Sequence, residues 1–221
     1  MPNWCANNLM VTGELSELER FRAAITTEQG GIEILSRLVP VPASSSASEF
    51  WGSKWGDCDT AESDCDGLDE FGYLLWFSSA WSPPVDGITK VSELFPSLLF
   101  ELQFEEGGMD FCGASVARAG ESAVVKFSMS GDVVGIDWSS DGEPVQGWDS
   151  LSDAVNELKA RAAVEALEEL NANSGEFWHD GNDWKHCERV VYSGDLWAEC
   201  TYCGAVMSWD DDEIESGSDD E

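Results

Sequence analysis

Strand-type and helix-type apolar patterns alternate along residues 1–118, and their order restricts the possible folds more than any other property of this sequence. Apolar residues recur about every 2 positions in a half-buried strand and about every 3.6 in an amphipathic helix. The predicted elements, in chain order, are strand 7–13, helix 15–25, strand 71–81, helix 85–95, strand 98–104 and strand 111–117. This order predicts an α+β fold with an antiparallel sheet, close to the split βαβ architecture of ferredoxin-like folds.

The remainder of the first domain and the segment after it are predicted from similar patterns. A long irregular connection follows the first helix over residues 30–50. Residues 122–129 and 132–138 are two more strands that extend the sheet or pair as a hairpin, within a domain of residues 1–140. Residues 141–175 are predicted to be a linker helix, because Ser150 and Asp153 stand in capping-box spacing before an Ala-, Glu- and Leu-rich run.

The charge of the chain selects its partners. The sequence has 44 Asp and Glu against 11 Lys and Arg, which is a formal net charge of −33. Its hydrophobic fraction of 43%, with eleven Trp and ten Phe, excludes an extended disordered chain for most of the length. A field of this sign repels nucleic acid and anionic membrane surfaces and attracts basic protein surfaces. The composition therefore favours a protein partner.

Two acidic blocks hold a dense share of this charge. Residues 210–221 hold eight acids in twelve residues and are predicted to be a disordered tail. Residues 57–70 hold seven acids and no base, and we predict that they form an acidic insertion that binds the partner. Its predicted partner-binding residues are Asp57, Asp59, Glu62, Asp64, Asp66, Asp69 and Glu70. A block of like charges is also typical of a solvated loop, and that interpretation stays open.

Three short motifs resemble a known family. They are Asn3-Trp4-Cys5-Ala6-Asn7-Asn8-Leu9 with Val11-Thr12-Gly13 after it, Trp51-Gly52-Ser53-Lys54-Trp55, and Ala80-Trp81-Ser82-Pro83-Pro84. In this order they resemble the YubB ferredoxin-like domain family of plasmids and phages, over about residues 1–118. The resemblance implies a ferredoxin-like core and a mobile-element origin. It carries over no catalytic residue.

A cluster of cysteines and histidines predicts a structural zinc site within residues 176–209. Cys200 and Cys203 form a Cys-x-x-Cys turn before Gly204, and Cys187 is the natural third ligand. The fourth is either His186 or His179. Three Cys and one His close a tetrahedral site, so the zinc of this zinc-ribbon-like segment would be structural rather than catalytic. A redox dithiol and two buried thiols are the alternatives; the first is disfavoured because residues 204–209 are predicted to be a strand.

Enzymatic and nucleic-acid-binding functions find little support in the sequence. It contains no Gly-x-Ser-x-Gly elbow, phosphate loop or Gly-x-Gly-x-x-Gly signature, and both histidines lie in the metal-binding segment, so we predict no enzyme. Trp4, Trp76 and Trp81 are candidates for base stacking, as on RNA-binding ferredoxin-like sheets. The eleven bases form no basic stripe, however, and most of these rings are predicted to pack in the core.

These observations together predict a non-enzymatic, acidic phage- or plasmid-type protein in the cytoplasm of a bacterial host. It acts as a DNA mimic that occupies the basic surface of a host nucleic-acid-binding protein and binds neither nucleic acid nor membrane. No apolar run approaches the roughly 18 residues of a membrane helix, and the N-terminus lacks the basic region of a signal peptide. One alternative is a zinc-containing nucleic-acid-binding or regulatory module that uses Lys185 and Arg189, and another is a housekeeping protein of a salt-loving organism.

Overall fold

A computed structural model describes residues 2–62, 72–133, 148–174, 190–192, 197–200 and 206–208. The chain divides into two compact units, Met1–Asn173 and Ser174–Glu221. Its helices and strands, numbered in chain order, are β1 (Trp4–Thr12), α1 (Leu15–Ile25), α2 (Leu35–Leu38), α3 (Ala47–Phe50), β2 (Cys58–Glu62), β3 (Tyr73–Ala80), α4 (Val85–Leu94), β4 (Leu99–Glu106), β5 (Phe111–Arg118), β6 (Glu121–Ser128), α5 (Met129–Asp132), α6 (Trp148–Ser174), β7 (Val190–Tyr192), β8 (Trp197–Cys200) and β9 (Val206–Ser208).

The first unit is built on a six-stranded antiparallel sheet in the order β2-β3-β1-β4-β5-β6. Leu9 of β1 pairs with Leu75 of β3 on one side and with Leu102 of β4 on the other. The segment from β1 to β4 follows the β-α-β-β-α-β order of ferredoxin-like folds, and β3 lies between the two strands that α1 connects. The predicted α+β class and the ferredoxin-like core with an antiparallel sheet are therefore confirmed.

The main hydrophobic core lies between α1, α4 and one face of this sheet. Strand residues alternate between the two faces, and Leu9 is fully buried on the helix-covered one. Phe21 of α1 packs edge-on against Tyr73, Phe95 and Phe100, with ring centroids 6.1, 5.2 and 5.5 Å away. Burying a side chain of this size contributes about 1.5–3 kcal/mol, so this aromatic cluster holds α1 to the sheet.

The long helix α6 packs on the opposite face of the sheet, over β5 and β6. Its Leu158 shares a buried cluster with Cys112 of β5, and Ala162 is fully buried one turn later. On the same face of β1 and β3, in contrast, Trp4 and Trp76 are exposed. The second face of the sheet is therefore covered at one end and exposed at the other.

Strand β2 was not predicted from the apolar pattern. The acidic block 57–70 begins inside the sheet, because Cys58–Glu62 pair with β3 as its edge strand. The pairing register shifts between Cys58 and Ala61, where Asp59 has a left-handed φ of 55°. Residues 63–71 lie outside the described residues.

Other differences from the predicted elements are local. The connection 30–50 contains the one-turn helices α2 and α3, and Ser46 and Glu49 form a capping box at the start of α3. The strand predicted at 132–138 begins where α5 ends, and residues 134–138 lie outside the described part of the chain. Helix α6 starts at Trp148, two residues before Ser150 of the predicted capping box, and residues 141–147 of the predicted linker segment lie outside the described residues.

The second unit contains a three-stranded antiparallel sheet in the order β7-β8-β9. Cys200 is the last residue of β8, and β9 shows residues 206–208 of the strand predicted over residues 204–209. The predicted zinc-ribbon character is not shown, because most of the metal-binding segment lies outside the described residues. The whole acidic tail lies outside them as well. Among the described helices, none has both the length and the apolar character needed to cross a membrane.

Candidate functional site

The three sequence motifs meet at one corner of the first unit. Backbone hydrogen bonds join Trp81 N–H to the carbonyl of Asn3 at 2.9 Å, and Ala80 N–H to the carbonyl of Trp55 at 3.0 Å. The Ser82 hydroxyl donates to the Gly52 carbonyl at 2.6 Å. We call this region the motif corner: residues 3–4, 51–55 and 80–82. Segments far apart in sequence thus form one surface.

Local chemistry shapes the turn of the middle motif. Gly52 has a φ of 83°, a left-handed conformation that glycine adopts without steric cost. The buried Ser53 hydroxyl lies 2.9 Å from the carbonyl oxygens of both Trp55 and Ala80. The indole N–H of Trp51 donates to the Val39 carbonyl at 2.8 Å. Trp51 is thereby anchored against the core, while Trp55 is turned outward.

Exposed tryptophans are the most unusual feature of this surface. The exposed fractions are 47% for Trp4, 43% for Trp55, 53% for Trp76 and 42% for Trp81. The rings of Trp4 and Trp55 are in contact, with centroids 5.8 Å apart. We call Trp4, Trp55 and Trp76 the tryptophan face, and Trp81 borders it through its backbone bond to Asn3. Exposed apolar area concentrated on one face is typical of an interaction site.

The predicted core packing of Trp4, Trp76 and Trp81 is therefore wrong. Trp4 and Trp76 fall on the sheet face opposite to Leu9 and Leu75, which point toward the helices. Trp81 follows the end of β3 with a left-handed φ of 72° and stays exposed. That conformation costs an L-residue about 1–2 kcal/mol, so the backbone here holds a strained tryptophan at the surface.

Small residues separate the two strand tryptophans. Trp4 pairs with Ala80, Ala6 with Ser78, and Asn8 with Trp76, so all six share one face. Positions four apart on a strand lie about 13 Å from each other, which sets the spacing between the Trp4 and Trp76 rows. Ala6 and Ser78 fill the row between them. The two indoles therefore lie at opposite ends of a stretch of small side chains.

Charges of both signs lie around the tryptophan face. Glu101 and Glu105 of β4 pair with Met10 and Ala6 of β1, so both carboxylates lie on this face. Glu105 contacts the Lys159 ammonium of α6 at 2.6 Å. The ammonium of Lys54 lies 5.2 Å from the Trp55 ring centroid, which is cation–π distance. Two ammonium groups, those of Lys54 and Lys159, thus lie at this face together with the two carboxylates.

Only some of the predicted partner-binding carboxylates fall in the described part. Asp57 accepts hydrogen bonds from the backbone N–H groups of Ile34 and Leu35, and burial raises its pKa despite those bonds. Asp59 is exposed, and Glu62 contacts Arg22 at 2.8 Å. The carboxylates of Asp57 and Glu62 are thus used within the fold. The other four, Asp64, Asp66, Asp69 and Glu70, lie outside the described residues, and partner binding by the block stays a prediction.

Cys5, Cys58 and Cys112 are not activated nucleophiles. Burial raises the pKa of Cys5 to about 12 and that of Cys112 to about 11. The Cys58 pKa is also raised, by burial and by the neighbouring Asp57 and Asp59 carboxylates. These three thiols are therefore protonated at neutral pH.

The predicted zinc ligands fall almost entirely outside the described part. Cys200 ends β8, but Cys187, Cys203, His179 and His186 are not among the described residues. Within the described residues, no group of three or more His, Cys, Asp or Glu is placed to hold a metal ion. The zinc site stays a prediction.

Comparison with known proteins bears on the fold of one part of the chain. Residues 51–133 match the sequence model of a family described as a ferredoxin-like domain in Api92-like protein. No curated protein and no solved structure matches the chain. The match does not support the YubB name that the motifs suggested. Residues 51–133, which contain β2 to β6, are thus supported as part of a ferredoxin-like family.

Proposed function

We propose that this protein is a non-enzymatic acidic binding protein that covers a basic, nucleic-acid-binding surface of a partner protein, as a DNA mimic does. The observation that carries the proposal is the net charge of −33 on a folded chain. Carboxylates at the surface of a folded protein can take the places of backbone phosphates against Lys and Arg of the partner.

The cations of the described part support this proposal. Four of them are paired with carboxylates of the same chain: Arg20 with Glu17, Arg22 with Glu62, Lys159 with Glu105 and Arg161 with Glu165. A phosphate-binding surface needs cations clustered on one face and directed outward. Partner recognition by carboxylates fits this arrangement better than recognition of nucleic acid by cations.

The biological setting of the proposal comes from the motif resemblance. A YubB-like mobile-element protein would act in the cytoplasm of a bacterial host, as an inhibitor of restriction, CRISPR, recombination or transcription machinery. The pKa values of Cys5, Cys58 and Cys112 are raised, so these three thiols supply no activated nucleophile.

Affinity capture with a competitor tests the proposal. The immobilised protein is exposed to bacterial lysate at about 50 mM NaCl, where charge attraction is weakly screened, with and without excess duplex DNA. We expect DNA- or RNA-binding proteins to be recovered, to be displaced by the DNA and to elute as salt rises. An unrelated protein of similar acidity is the control bait. Recovery of the same proteins by both baits, or a gel shift of DNA by this chain, would contradict the proposal.

A zinc-containing nucleic-acid-binding or regulatory module is the second candidate. One observation favours it: Cys200 ends β8, and β8 pairs antiparallel with β9, which begins three residues after Cys203 in the sequence, a spacing that suits a zinc-ribbon hairpin. Cys187 and either His186 or His179 would complete the site, and the zinc would stabilise the segment.

Metal analysis combined with a gel shift separates the two candidates. We expect one zinc per chain by elemental analysis, lost in Cys200→Ser and retained in the matched control Cys58→Ser. Cys58 lies on β2 in the first unit and belongs to no predicted metal site. A gel shift that disappears together with the zinc would favour the second candidate over the DNA mimic.

A further inference from the structure

We propose that the tryptophan face is the docking surface for a basic, arginine-bearing segment of the partner protein. This inference rests on the proposed function, because it assigns a location and a recognition chemistry to the same binding event. It assigns that role to Trp4, Trp55 and Trp76 rather than to the acidic block alone.

The exposure of the three rings is the first argument. Each is between 43% and 53% exposed, although the same unit buries Phe21, Phe100 and Phe104 almost completely. Indole rings offer more contact area at less entropic cost than flexible side chains, which is why they concentrate at binding hot spots. A surface so rich in indole rings is suited to binding a partner.

A cation–π contact already present supplies the second argument. Lys54 places its ammonium 5.2 Å from the Trp55 ring centroid, within the range in which the indole quadrupole attracts cations. Arginine forms such contacts more often than lysine, since its planar guanidinium also stacks on the ring. Trp4 and Trp76 present the same chemistry.

The spacing of the rings agrees with an extended segment. Trp4 and Trp76 are separated by the Ala6–Ser78 row, about 13 Å along the strands. An extended chain spans that distance in about four residues, so two side chains on the same side of the segment can reach both indoles. The small side chains of Ala6 and Ser78 leave room for the segment between the rings.

Charge decides the class of occupant. Glu101 and Glu105 lie on the same sheet face, but Glu105 is paired with Lys159, and Glu101 accepts a hydrogen bond from Gln103. The deciding charge is therefore the net −33 of the whole chain. A nucleic acid stacking on these rings would bring its phosphates to a strongly anionic protein, whereas a basic segment would be attracted by the same net charge. The complementarity therefore favours a cationic protein segment over a nucleic acid.

Trp81 adds a strained position at the edge of this surface. Its left-handed backbone is held by a hydrogen bond to Asn3 and its ring is 42% exposed. Strain retained at an exposed aromatic residue is typical of a binding position. Trp81 is therefore expected to contact the same partner segment at its end.

A peptide-binding assay tests the inference. The probe is a fluorescein-labelled peptide of nine arginines, titrated by anisotropy against the full chain at about 0.3 M NaCl, where non-contact attraction is largely screened. The variants Trp76→Ala and Trp76→Phe leave the net charge unchanged. Leu94→Ala on α4 is the matched control, since Leu94 is 47% exposed outside the tryptophan face. Urea unfolding of every variant checks that the fold is retained.

We expect Trp76→Ala to weaken peptide binding about three- to tenfold, Trp76→Phe to weaken it less, and Leu94→Ala to leave it unchanged. A peptide of nine lysines should lose less affinity on Trp76→Ala, because lysine stacks less well. If the wild-type chain binds the arginine peptide and Trp76→Ala binds it equally, the tryptophan face is not the contact surface and only this inference fails.

Two other outcomes of the binding assay would contradict this inference in different ways. If the wild-type chain binds neither peptide even at about 50 mM NaCl, where screening is weak, both the proposed function and this inference fail. If a 20-nucleotide poly-dT strand binds and is lost in Trp76→Ala, the face is a nucleic-acid platform and this inference is wrong.

Discussion

Asn7 is a buried polar residue on which the pairing of β1 with β3 depends. It is 2% exposed, and its amide nitrogen lies 2.9 Å from the Cys5 carbonyl and the Ser79 hydroxyl and 3.3 Å from the Phe77 carbonyl. The Asn7 amide nitrogen therefore has hydrogen-bond acceptors on both strands inside the core. Its hydrogen bonds reach across the strand pair that also positions Trp4 and Trp76.

We predict that Asn7→Ala lowers the free energy of unfolding by about 1–3 kcal/mol, because buried polar groups lose their partners. Asn8→Ala is the matched control on the opposite, partly exposed face, and should change stability by about 0.5 kcal/mol or less. Urea unfolding followed by tryptophan fluorescence measures both. Equal effects of the two substitutions would show that the Asn7 network contributes nothing specific.

Glu62 connects the edge strand to helix α1. Its two carboxylate oxygens lie 2.8 and 2.9 Å from the guanidinium nitrogens of Arg22, and the Tyr73 hydroxyl donates to it at 2.7 Å. Burial acts to raise the pKa of Glu62, but the hydrogen bonds from Arg22 and Tyr73 outweigh it, and the pKa is lowered. A carboxyl whose pKa is lowered by folding stabilises the protein above its unfolded pKa of about 4.3 and loses that effect as the pH falls through its folded pKa.

We therefore predict a pH-dependent effect of Glu62→Gln. At pH 7 it should destabilise the protein by about 0.5–1 kcal/mol relative to Glu19→Gln, which removes the same charge from the exposed side of α1. The Arg22 side chain is 46% exposed, so solvent screening keeps the value small. Denaturant unfolding from pH 7 to about pH 3 should show the difference vanishing as Glu62 becomes protonated. A difference that persists at the lowest pH would assign the effect to packing.

At the scale of elements, the contact between β5 and β6 depends on Gly113. A Cβ at this position would collide with the Val125 carbonyl oxygen and lie 3.0 Å from the Cα of Lys126. Gly107, in the turn between β4 and β5, has no heavy atom within 4 Å of its added Cβ. The two glycines therefore differ in whether the neighbouring backbone leaves space.

We predict that Gly113→Ala destabilises the protein by about 1–3 kcal/mol, because the collision is with backbone that must shift. Gly107→Ala should lie within about 0.5 kcal/mol of the wild type. Thermal unfolding followed by circular dichroism compares the two variants. Similar midpoints for both would mean that β5 and β6 separate without cost, and that the sheet is less tightly packed there than the distances indicate.

The elements predicted correctly are those whose apolar residues are buried on one side. α1, α4 and β4 were located to within a few residues, because each has a clear helical or alternating pattern. β2 was missed because its sequence, Cys-Asp-Thr-Ala-Glu, contains no fully buried residue and pairs with a single neighbour at the sheet edge. The periodicity of apolar residues reflects which side chains are buried and not which backbone groups are hydrogen-bonded. It therefore does not predict a strand of this kind.

The candidate site shows the same limit on what local sequence patterns predict. The motifs that form the corner were recognisable in the sequence, but their meeting depends on long-range bonds such as Trp81 to Asn3. The exposure of Trp76 depends on which sheet face the helices cover, and no local sequence pattern predicts which face that is. The carboxylate of Asp57 is used by Ile34 and Leu35, which precede it by more than 20 residues, so its structural role was equally hidden.

At the scale of the whole molecule, the net negative charge destabilises the folded state. Forty-four acids against eleven bases repel one another, and compaction brings them closer together than in the unfolded chain. The ion pairs of the first unit offset only part of this repulsion, since exposed pairs contribute about 0–1 kcal/mol each. Long-range repulsion is therefore a destabilising contribution that dissolved salt should remove.

We predict that NaCl raises the melting temperature, on the order of 5 °C between about 0.05 and 0.5 M, with little further change above that. At about 0.1 M salt the Debye length is about 10 Å, and repulsion between charges farther apart than that is largely screened, so the gain should level off once the Debye length falls below the charge separations. Potassium chloride must act alike, because screening depends on ionic strength and not on cation identity. A housekeeping protein adapted to high salt would instead keep gaining stability into the molar range. Calorimetry at five salt concentrations distinguishes the two curves, and a flat response below 0.5 M would show that the acids are spaced too widely to repel.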